Sequence, residues 1–431
     1  MKQMLTSGVR RALPAGLVRG LEDTYRKARV RVVSARYGYP AKSLKVIGVT
    51  GTNGKTTTVS YLNEILKEAG KKTAMFSTAV IEIAGVSRPN DLNATVASTA
   101  EMQRFFLEAK QANVDYVVME FPSHAIHQHK LAGVPVEMAI MTNLTQDHLD
   151  YHGTMEAYAE VKGRLFALQP KYIVLNRDDE WFDYFNQFRA ISQKITYGKH
   201  EDAEARIDHV KLFRKGTEAR LVIDHQTTLE LATALPGEFN TYNMAAAVSA
   251  AYLLGVDIND IIEGVANLEA VPGRFERVTT NQPYDVIVDY AHTPDGLEKF
   301  LSAAKAITKN RIILVFGATG DRDKGKRSIM GEIAAQYADR IFLTDEESYN
   351  EDPQIIRDMV FKGIETAHGA MKTTEVPDRY EAIKKALDVA RKGDTVLITG
   401  MGHEVYRIIA GERIPWNDAE AVREILAKNK K

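Results

Sequence analysis

From Lys45 onward the chain alternates short apolar runs with stretches of helical periodicity. Lys45–Val49 is apolar and ends in a Gly/Thr/Asn loop. Val59, Leu62, Ile65, Leu66 and Ala69 then recur at helical spacing up to Gly70, so strand, loop and helix are predicted in that order. Tyr116–Met119, Met138–Met141 and Ile173–Leu175 are further strand-like runs, with helical patterns such as Thr99–Ala112 between them. Strands alternating with helices predict an α/β fold with a doubly wound, mostly parallel sheet. Residues 206–231 break the alternation. Ile207–Phe213, Ala219–Asp224 and Thr228–Leu231 read as short strands with turns at Gly216 and His225-Gln226, and predict a small antiparallel annex. Asn243–Leu254 is an Ala-rich helix. A boundary follows between Pro272-Gly273 and Pro283. The alternation then restarts with strands at Val286–Asp289, Ile312–Phe316, Ile341–Thr344 and Thr395–Thr399, and helices at Gln354–Ala367 and Arg379–Ala390. The expected division is a basic helical arm over 1–44, a central α/β domain over 45–272 and a Rossmann-like domain over 273–431.

Composition narrows the class. The 431 residues are 45% hydrophobic, ample for several cores. With 56 Lys and Arg against 57 Asp and Glu, the net charge is −1, unlike a globally basic nucleic-acid binder or an acidic disordered chain. There is no cysteine, which excludes disulfides, thiolate zinc sites and a thiol nucleophile. No apolar run approaches the roughly 18 residues of a membrane span, and no signal-peptide pattern opens the chain. A cytoplasmic monomer is expected. One asymmetry stands out: residues 1–45 hold eleven Lys and Arg against Glu22 and Asp23, a net of +9. Leu5, Val9, Leu13, Leu17, Val18 and Leu21 recur there near a helical repeat. Such an arm either packs on its own protein or makes a peripheral contact with an anionic membrane or an acidic partner.

The strongest chemical signal is Gly51-Thr52-Asn53-Gly54-Lys55-Thr56-Thr57, between a predicted strand and helix. Glycines let backbone N–H groups curl around phosphate oxygens at a helix N-terminus; Lys55 would reach the β/γ-phosphates and Thr56 a Mg²⁺ ion. The strict phosphate-loop pattern wants glycine where Val49 stands, so this is a variant loop. Glu120 and His148 each follow a strand-like run, where ligands bind in doubly wound sheets, and could hold a second divalent cation. His124, His127 and His129 suggest zinc at first sight, although such clusters are mostly hydrogen-bonded loop residues. Gly317–Arg327 follows another strand and reads as an anion or carboxylate receptor. Asp289–Pro294 and Gly400–Glu404 end two more strands, and together these loops describe a cleft.

In this order Gly51–Thr57, Asn143–Gly153 (NLTQDHLDYHG), Gly273–Glu276 (GRFE), Val288–Pro294 (VDYAHTP), Gly320–Arg327 (GDRDKGKR) and Gly400–Glu404 resemble the Mur ligase family, ATP-dependent amide ligases of peptidoglycan precursor synthesis. The likeness runs from about Lys45 to Trp416. It is greatest to the MurE type, which adds the third amino acid to UDP-N-acetylmuramoyl-L-alanyl-D-glutamate. The resemblance implies that ATP phosphorylates a substrate carboxylate and that an amine displaces the phosphate. Gly51, Thr52, Asn53, Gly54, Lys55, Thr56 and Thr57 would hold the ATP phosphates, and Asn243, Arg274, Asp289 and His292 the rest of the nucleotide. Lys55, Glu120, His148 and Lys162 would be catalytic. Thr56, Glu120, His148 and Lys162 would carry two Mg²⁺ ions, Lys162 as a carbamate. Thr95, Ser123, Gln128 and Lys130 fall on the acceptor side, and Arg322, Gly400 and Glu404 on the amino-acid side.

Three departures accompany the likeness. Only about 45 residues precede the phosphate loop, too few for the family's roughly 100-residue uridine-binding domain, so that domain is expected to be missing. Glu346-Glu347-Ser348-Tyr349 stands where diaminopimelate-adding members have Asp-Asn-Pro-Arg. Glu346, Glu347 and Tyr349 would therefore favour a basic amino acid such as lysine or ornithine. On the acceptor side Val96, Ala97, Pro122 and Lys130 replace the usual residues, and Lys is not equivalent to Arg at a bidentate site. Other readings are ligation onto another carboxylate, of the folylpolyglutamate or poly-amino-acid type, and a nucleotide-binding partner subunit without turnover.

Overall fold

A computed structural model describes residues 15–90, 97–278 and 281–428. The first element is a long helix, α1 (Ala15–Arg36); the part of the predicted arm before Ala15 lies outside the described residues. Then come β1 (Val46–Thr50), α2 (Lys55–Glu68), β2 (Thr73–Phe76), β3 (Val80–Ile83), β4 (Val86–Pro89), α3 (Thr99–Gln111), β5 (Tyr116–Glu120), α4 (Ser123–His127), β6 (Val136–Met141), α5 (Leu149–His152), α6 (Met155–Phe166), β7 (Tyr172–Asn176), α7 (Phe182–Asn186), β8 (Gln193–Gly198), β9 (Ala205–Phe213), β10 (Gly216–Ile223), β11 (Thr227–Thr233), α8 (Glu238–Leu253) and α9 (Ile258–Asn267).

These strands form one sheet in the order β11-β10-β9-β8-β7-β6-β1-β5-β2-β3-β4. Its centre, from β9 to β2, is parallel, and an antiparallel pair of strands extends it at each end. The antiparallel strands expected over 206–231 are present, but they are not a separate annex. β9 pairs in parallel with β8 at Tyr197–Ala205 and Gly198–Arg206, so the ladder continues. Strand β1 shows why the centre reads as an unbroken apolar run. All five of its residues are buried, because side chains of opposite parity enter different cores. Val46 packs toward α3 and α6, Ile47 and Val49 toward α2 and α8.

The second sheet repeats the logic. Its elements are β12 (Glu276–Arg277), β13 (Asp285–Asp289), α10 (Pro294–Ile307), β14 (Ile312–Phe316), α11 (Gly325–Tyr337), β15 (Arg340–Leu343), α12 (Pro353–Thr366), β16 (Thr373–Glu375), α13 (Arg379–Val389), β17 (Thr395–Thr399), the hairpin β18 (Tyr406–Ile409) and β19 (Glu412–Pro415), and α14 (Asp418–Lys428). The strand order is β12-β13-β17-β14-β15-β16, parallel except for β12. Helices cover both faces: Leu314 and Leu397 pack with α10–α12, Ile313 and Val396 with α13 and α14. Helix starts follow local chemistry. Thr293 caps α10 by accepting from Gly296 N, with Pro294 at the first helical position; Ser98 and Glu101 form a reciprocal cap on α3. No helix among the described residues is long and apolar enough to cross a membrane.

Candidate active site

The carboxyl ends of β1, β5 and β6 from the first sheet face those of β13, β14 and β17 from the second. Between them lies a cleft of about 1330 Å³. Gly51 through Thr57 all line it, with Glu120, Ser123, His148, Lys162, Asn243, Arg274, Asp289, His292, Arg322, Glu347, Tyr349, Gly400 and Glu404. The expected site residues that do not line it are Glu346, Gln128 and Lys130. Thr95 lies outside the described residues.

The loop after β1 closes tightly, and two glycines are demanded by geometry. Gly51 has φ +148° and a Cβ there would sit 1.8 Å from Thr142 Oγ1; Gly54 has φ +84° and a Cβ would meet Asn243 Oδ1 at 2.1 Å. Lys55 at the start of α2 turns back over the loop, donating to Gly51 O at 3.0 Å and Thr52 O at 2.7 Å. Lys162, 1% exposed on α6, donates to the same Gly51 O at 2.7 Å. Burial pushes both amines below the ordinary lysine range, Lys162 strongly, and the neighbouring Lys55 ammonium is the next cause at Lys162.

Glu120 closes this end. Its Oε1 accepts from Thr56 Oγ1 at 2.8 Å and Thr78 N at 2.9 Å, while its buried Oε2 has no protein partner. Arg274 donates to Thr56 Oγ1 at 3.1 Å and its guanidinium lies over the Tyr290 ring. A carboxylate with a buried, unpartnered oxygen beside a threonine hydroxyl is chemically fitted to a hard divalent cation. His148 adopts φ +54° at the start of α5, and burial pushes its pKa well below the ordinary histidine range. His292 Nδ1 is 2.7 Å from Tyr290 O, and burial together with Lys326 pushes its pKa down to about 4. Asp289 accepts from Phe275 N and Ala291 N, which fixes the turn after β13.

The two sheets are latched by contacts that the motifs did not announce. Asp147, 5% exposed, faces Lys326 at 3.4 Å, His148 at 3.3 Å and His292 at 3.9 Å. Burial alone would raise its pKa, but these three neighbours hold it far below the carboxylate range. Asn53 donates to Asp295 Oδ2 at 2.8 Å and Gln146 to Asp323 Oδ2 at 3.2 Å, so the phosphate loop and its neighbour each touch the second domain. Both Asp147 and Lys326 stood inside the motifs already singled out. Their pairing is a three-dimensional fact without a spacing signal.

At the far end Glu347 accepts from Tyr349 Oη at 3.2 Å and Ile408 N at 3.2 Å, and Arg322 lies over the Tyr349 ring at 5.2 Å. Tyr290 Oη donates to Glu404 at 3.2 Å; burial and the nearby Glu347 push Glu404 up to about 7. Glu346 turns the other way. Its oxygens accept from Gly317 N at 3.1 Å and Thr319 Oγ1 at 3.2 Å, so this carboxylate braces the loop after β14 and is not presented to a ligand. Lys130 is likewise engaged, its Nζ donating to Ala97 O within a buried pocket. Gln128 caps the end of α4 through its backbone.

Two of the three histidines near α4 have polar partners, while His124 is held by ring contacts and its buried Nδ1 has no hydrogen-bond partner among the described residues. His127 Nδ1 is 2.7 Å from Tyr151 Oη, His129 pairs with Asp23 of α1, and the His124 ring packs against His148, Tyr151 and His152. Ser123 Oγ is 2.9 Å from His152 Nε2.

Comparison with known proteins gives concordant matches. The Mur ligase middle-domain profile matches residues 49–251, and the Mur ligase glutamate-ligase domain profile residues 273–402. A UDP-N-acetylmuramoyl-L-alanyl-D-glutamate–2,6-diaminopimelate ligase of Geobacillus kaustophilus is 41% identical over 407 residues, covering 92% of this chain and 82% of the relative. One from Clostridium acetobutylicum is 38% identical over 422 residues, covering 97% and 85%. A solved structure of a ligase of that description superposes with a TM-score of 0.64 at 32% identity, over 94% of this chain and 84% of that one. A folylpolyglutamate synthase of Mycobacterium tuberculosis complexed with ADP shares the fold, with a TM-score of 0.72 at 19% identity over 87% of this chain and 91% of that one.

Proposed function

The chain belongs to the Mur ligase family of ATP-dependent amide ligases, and on that premise we propose that it adds the third amino acid to UDP-N-acetylmuramoyl-L-alanyl-D-glutamate in peptidoglycan precursor synthesis. The observation that carries this reading is the single cleft joining the Lys55 loop, Glu120, His148 and Lys162 to Arg322, Glu347 and Glu404. A nucleotide-binding partner subunit would have no use for that whole set.

The substrate carboxylate attacks the γ-phosphorus of ATP; the bond to the bridging oxygen breaks and ADP leaves. The amine of the incoming amino acid then attacks the acyl carbon, loses a proton, and inorganic phosphate departs. The first step joins two anions, so positioned cations decide its rate. Lys55 swings from the loop carbonyls to the β/γ-phosphates, where its charge is worth more in a site closed from water. Thr56, Glu120, His148 and Lys162 are the residues that would hold Mg²⁺, in a two-ion arrangement. Mg²⁺, when bound, offsets phosphate charge during phosphoryl transfer. For Lys162 to take part it must become an anion. Burial, which disfavours the charged form of its amine, suits addition to CO₂: an N–C bond forms, a proton leaves, and a carbamate results. Arg274 and His292 orient the nucleotide from the second domain, so the site is complete only when the Asp147 latch is made.

For the amino acid itself, Glu347 and Glu404 line the cleft while the cation Arg322 is stacked on Tyr349. Two carboxylates there attract an ammonium side chain and oppose a carboxylate, which favours lysine or ornithine. The competing choice is 2,6-diaminopimelate, favoured by the names of the 41%-identical relatives. Mass spectrometry of the product formed from the nucleotide-linked dipeptide, ATP and each candidate separates these. We expect the lysine or ornithine tripeptide. Exclusive formation of the diaminopimelate product overturns the amino-acid assignment, and no product with any of them overturns the reaction.

A further inference from the structure

We propose that the outward face of α1 docks on an anionic phospholipid surface. The helix has two distinct sides. Val30 and Ser34, 3% and 2% exposed, pack inward, and Asp23 on the same side pairs with His129, so α1 is anchored to the body against α3 and the segment after α4. Tyr25, Ala28, Val32 and Ala35 recur at intervals of three and four and are all exposed, so they share the opposite side. Tyr25 and Val32 are 67% and 70% exposed, among the five most exposed large apolar side chains of the described residues. Arg29 and Arg36 flank this stripe on one edge and Arg31 on the other, and all three are exposed.

A solvated helix needs no apolar stripe facing away from its protein. An interfacial helix needs this arrangement: apolar side chains entering the headgroup boundary and cations on both edges meeting lipid phosphates. The two acids of α1 are already engaged, Glu22 with Arg26 at 3.6 Å and Asp23 with Lys27 at 2.8 Å, so they do not oppose an anionic surface. The same flanking cations disfavour a second copy of the chain in this place, because its Arg side chains would meet their own kind. The inference is independent of which amino acid the cleft joins.

Vesicle co-sedimentation tests it, using the full chain with phosphatidylglycerol/phosphatidylcholine vesicles and with phosphatidylcholine alone. Binding is expected only to the anionic vesicles and is expected to weaken with salt. The variant Arg29→Glu/Arg31→Glu/Arg36→Glu should bind at least about tenfold more weakly, and Tyr25→Ser/Val32→Ser about fivefold more weakly or less. Because all five side chains are exposed, melting temperature and ATP-dependent phosphate release should stay at wild-type values. Absence of binding to anionic vesicles, or equal binding by wild type and both variants, overturns the proposal. So does a wild-type dimer in sedimentation velocity that Tyr25→Ser/Val32→Ser dissolves without any vesicle binding, which would give the face to a second copy.

Discussion

The two ends of the cleft are built on different principles. At the phosphate-loop end, backbone and side chains lock one another: Gly51 and Gly54 are dictated by close approach, Lys55 and Lys162 share one carbonyl, and Glu120 is held by Thr56 and Thr78. At the amino-acid end Glu347 keeps two donors, but the other charged groups are held more singly. Glu404 has one hydroxyl donor, and the Arg322 guanidinium rests on a ring. The first end serves a fixed chemistry, phosphoryl transfer, whose charge problem has few solutions. The second serves recognition, where a change of one charge redirects specificity. The difference predicts that substitutions at the first end cost turnover and those at the second cost substrate preference.

The largest effects should fall at the first end. Lys55→Ala is expected to lower kcat for ATP turnover by about 10³-fold or more, since positioning and charge compensation are lost together. Phosphate-release kinetics check this, and a wild-type rate would break the comparison. Lys162→Ala should be nearly inactive, with activity partly restored by acetate or formate, which can stand in for the carbamate. Full activity without added acid would exclude the carbamate.

An intermediate effect is expected at the latch. Asp147→Asn leaves Lys326 buried without its anion, and breaking such a buried pair costs about 3–5 kcal/mol. Part of that should appear as a lower melting temperature and part as a lower kcat, because the loop and the second domain meet less often. Calorimetry beside steady-state kinetics separates the two.

The smallest effects belong to the amino-acid end. Glu347→Gln should raise KM for a basic amino acid about tenfold while leaving kcat within about twofold, the loss of one charge-assisted contact. The pH profile sharpens this. With Glu404 pushed up to about 7, lowering the pH from 8 to 6 protonates it, removes its attraction for an ammonium group and raises KM. Glu404→Gln should have a flat profile over the same range. A KM independent of pH in the wild type would remove Glu404 from recognition.

What the sequence revealed follows the same division. The loop Gly51–Thr57, the strand ends carrying Glu120 and Asp289, and the alternation of strands and helices are local patterns, and each appears in the structure at its expected place. Apolar runs expose strands such as Ile312–Phe316 because both faces of a parallel sheet are covered. Pairing between strands is not local. The β9–β11 hairpins could be read, but their junction with β8 could not, because it rests on two backbone pairs across a turn. Direction of side chains is equally hidden: Glu346 and Glu347 are adjacent, yet one braces Gly317 and the other faces the cleft. Asp147 and Lys326 are 179 residues apart, and only the docking of the two domains makes them partners.

The central claim is that this one cleft couples ATP to joining an amino acid onto the nucleotide-linked dipeptide. It is tested most directly by phosphate release from ATP with UDP-N-acetylmuramoyl-L-alanyl-D-glutamate and a panel of amines. Release that requires both the dipeptide and one particular amino acid is the predicted result. No release with that acceptor, from a protein that still binds ATP, would contradict the account.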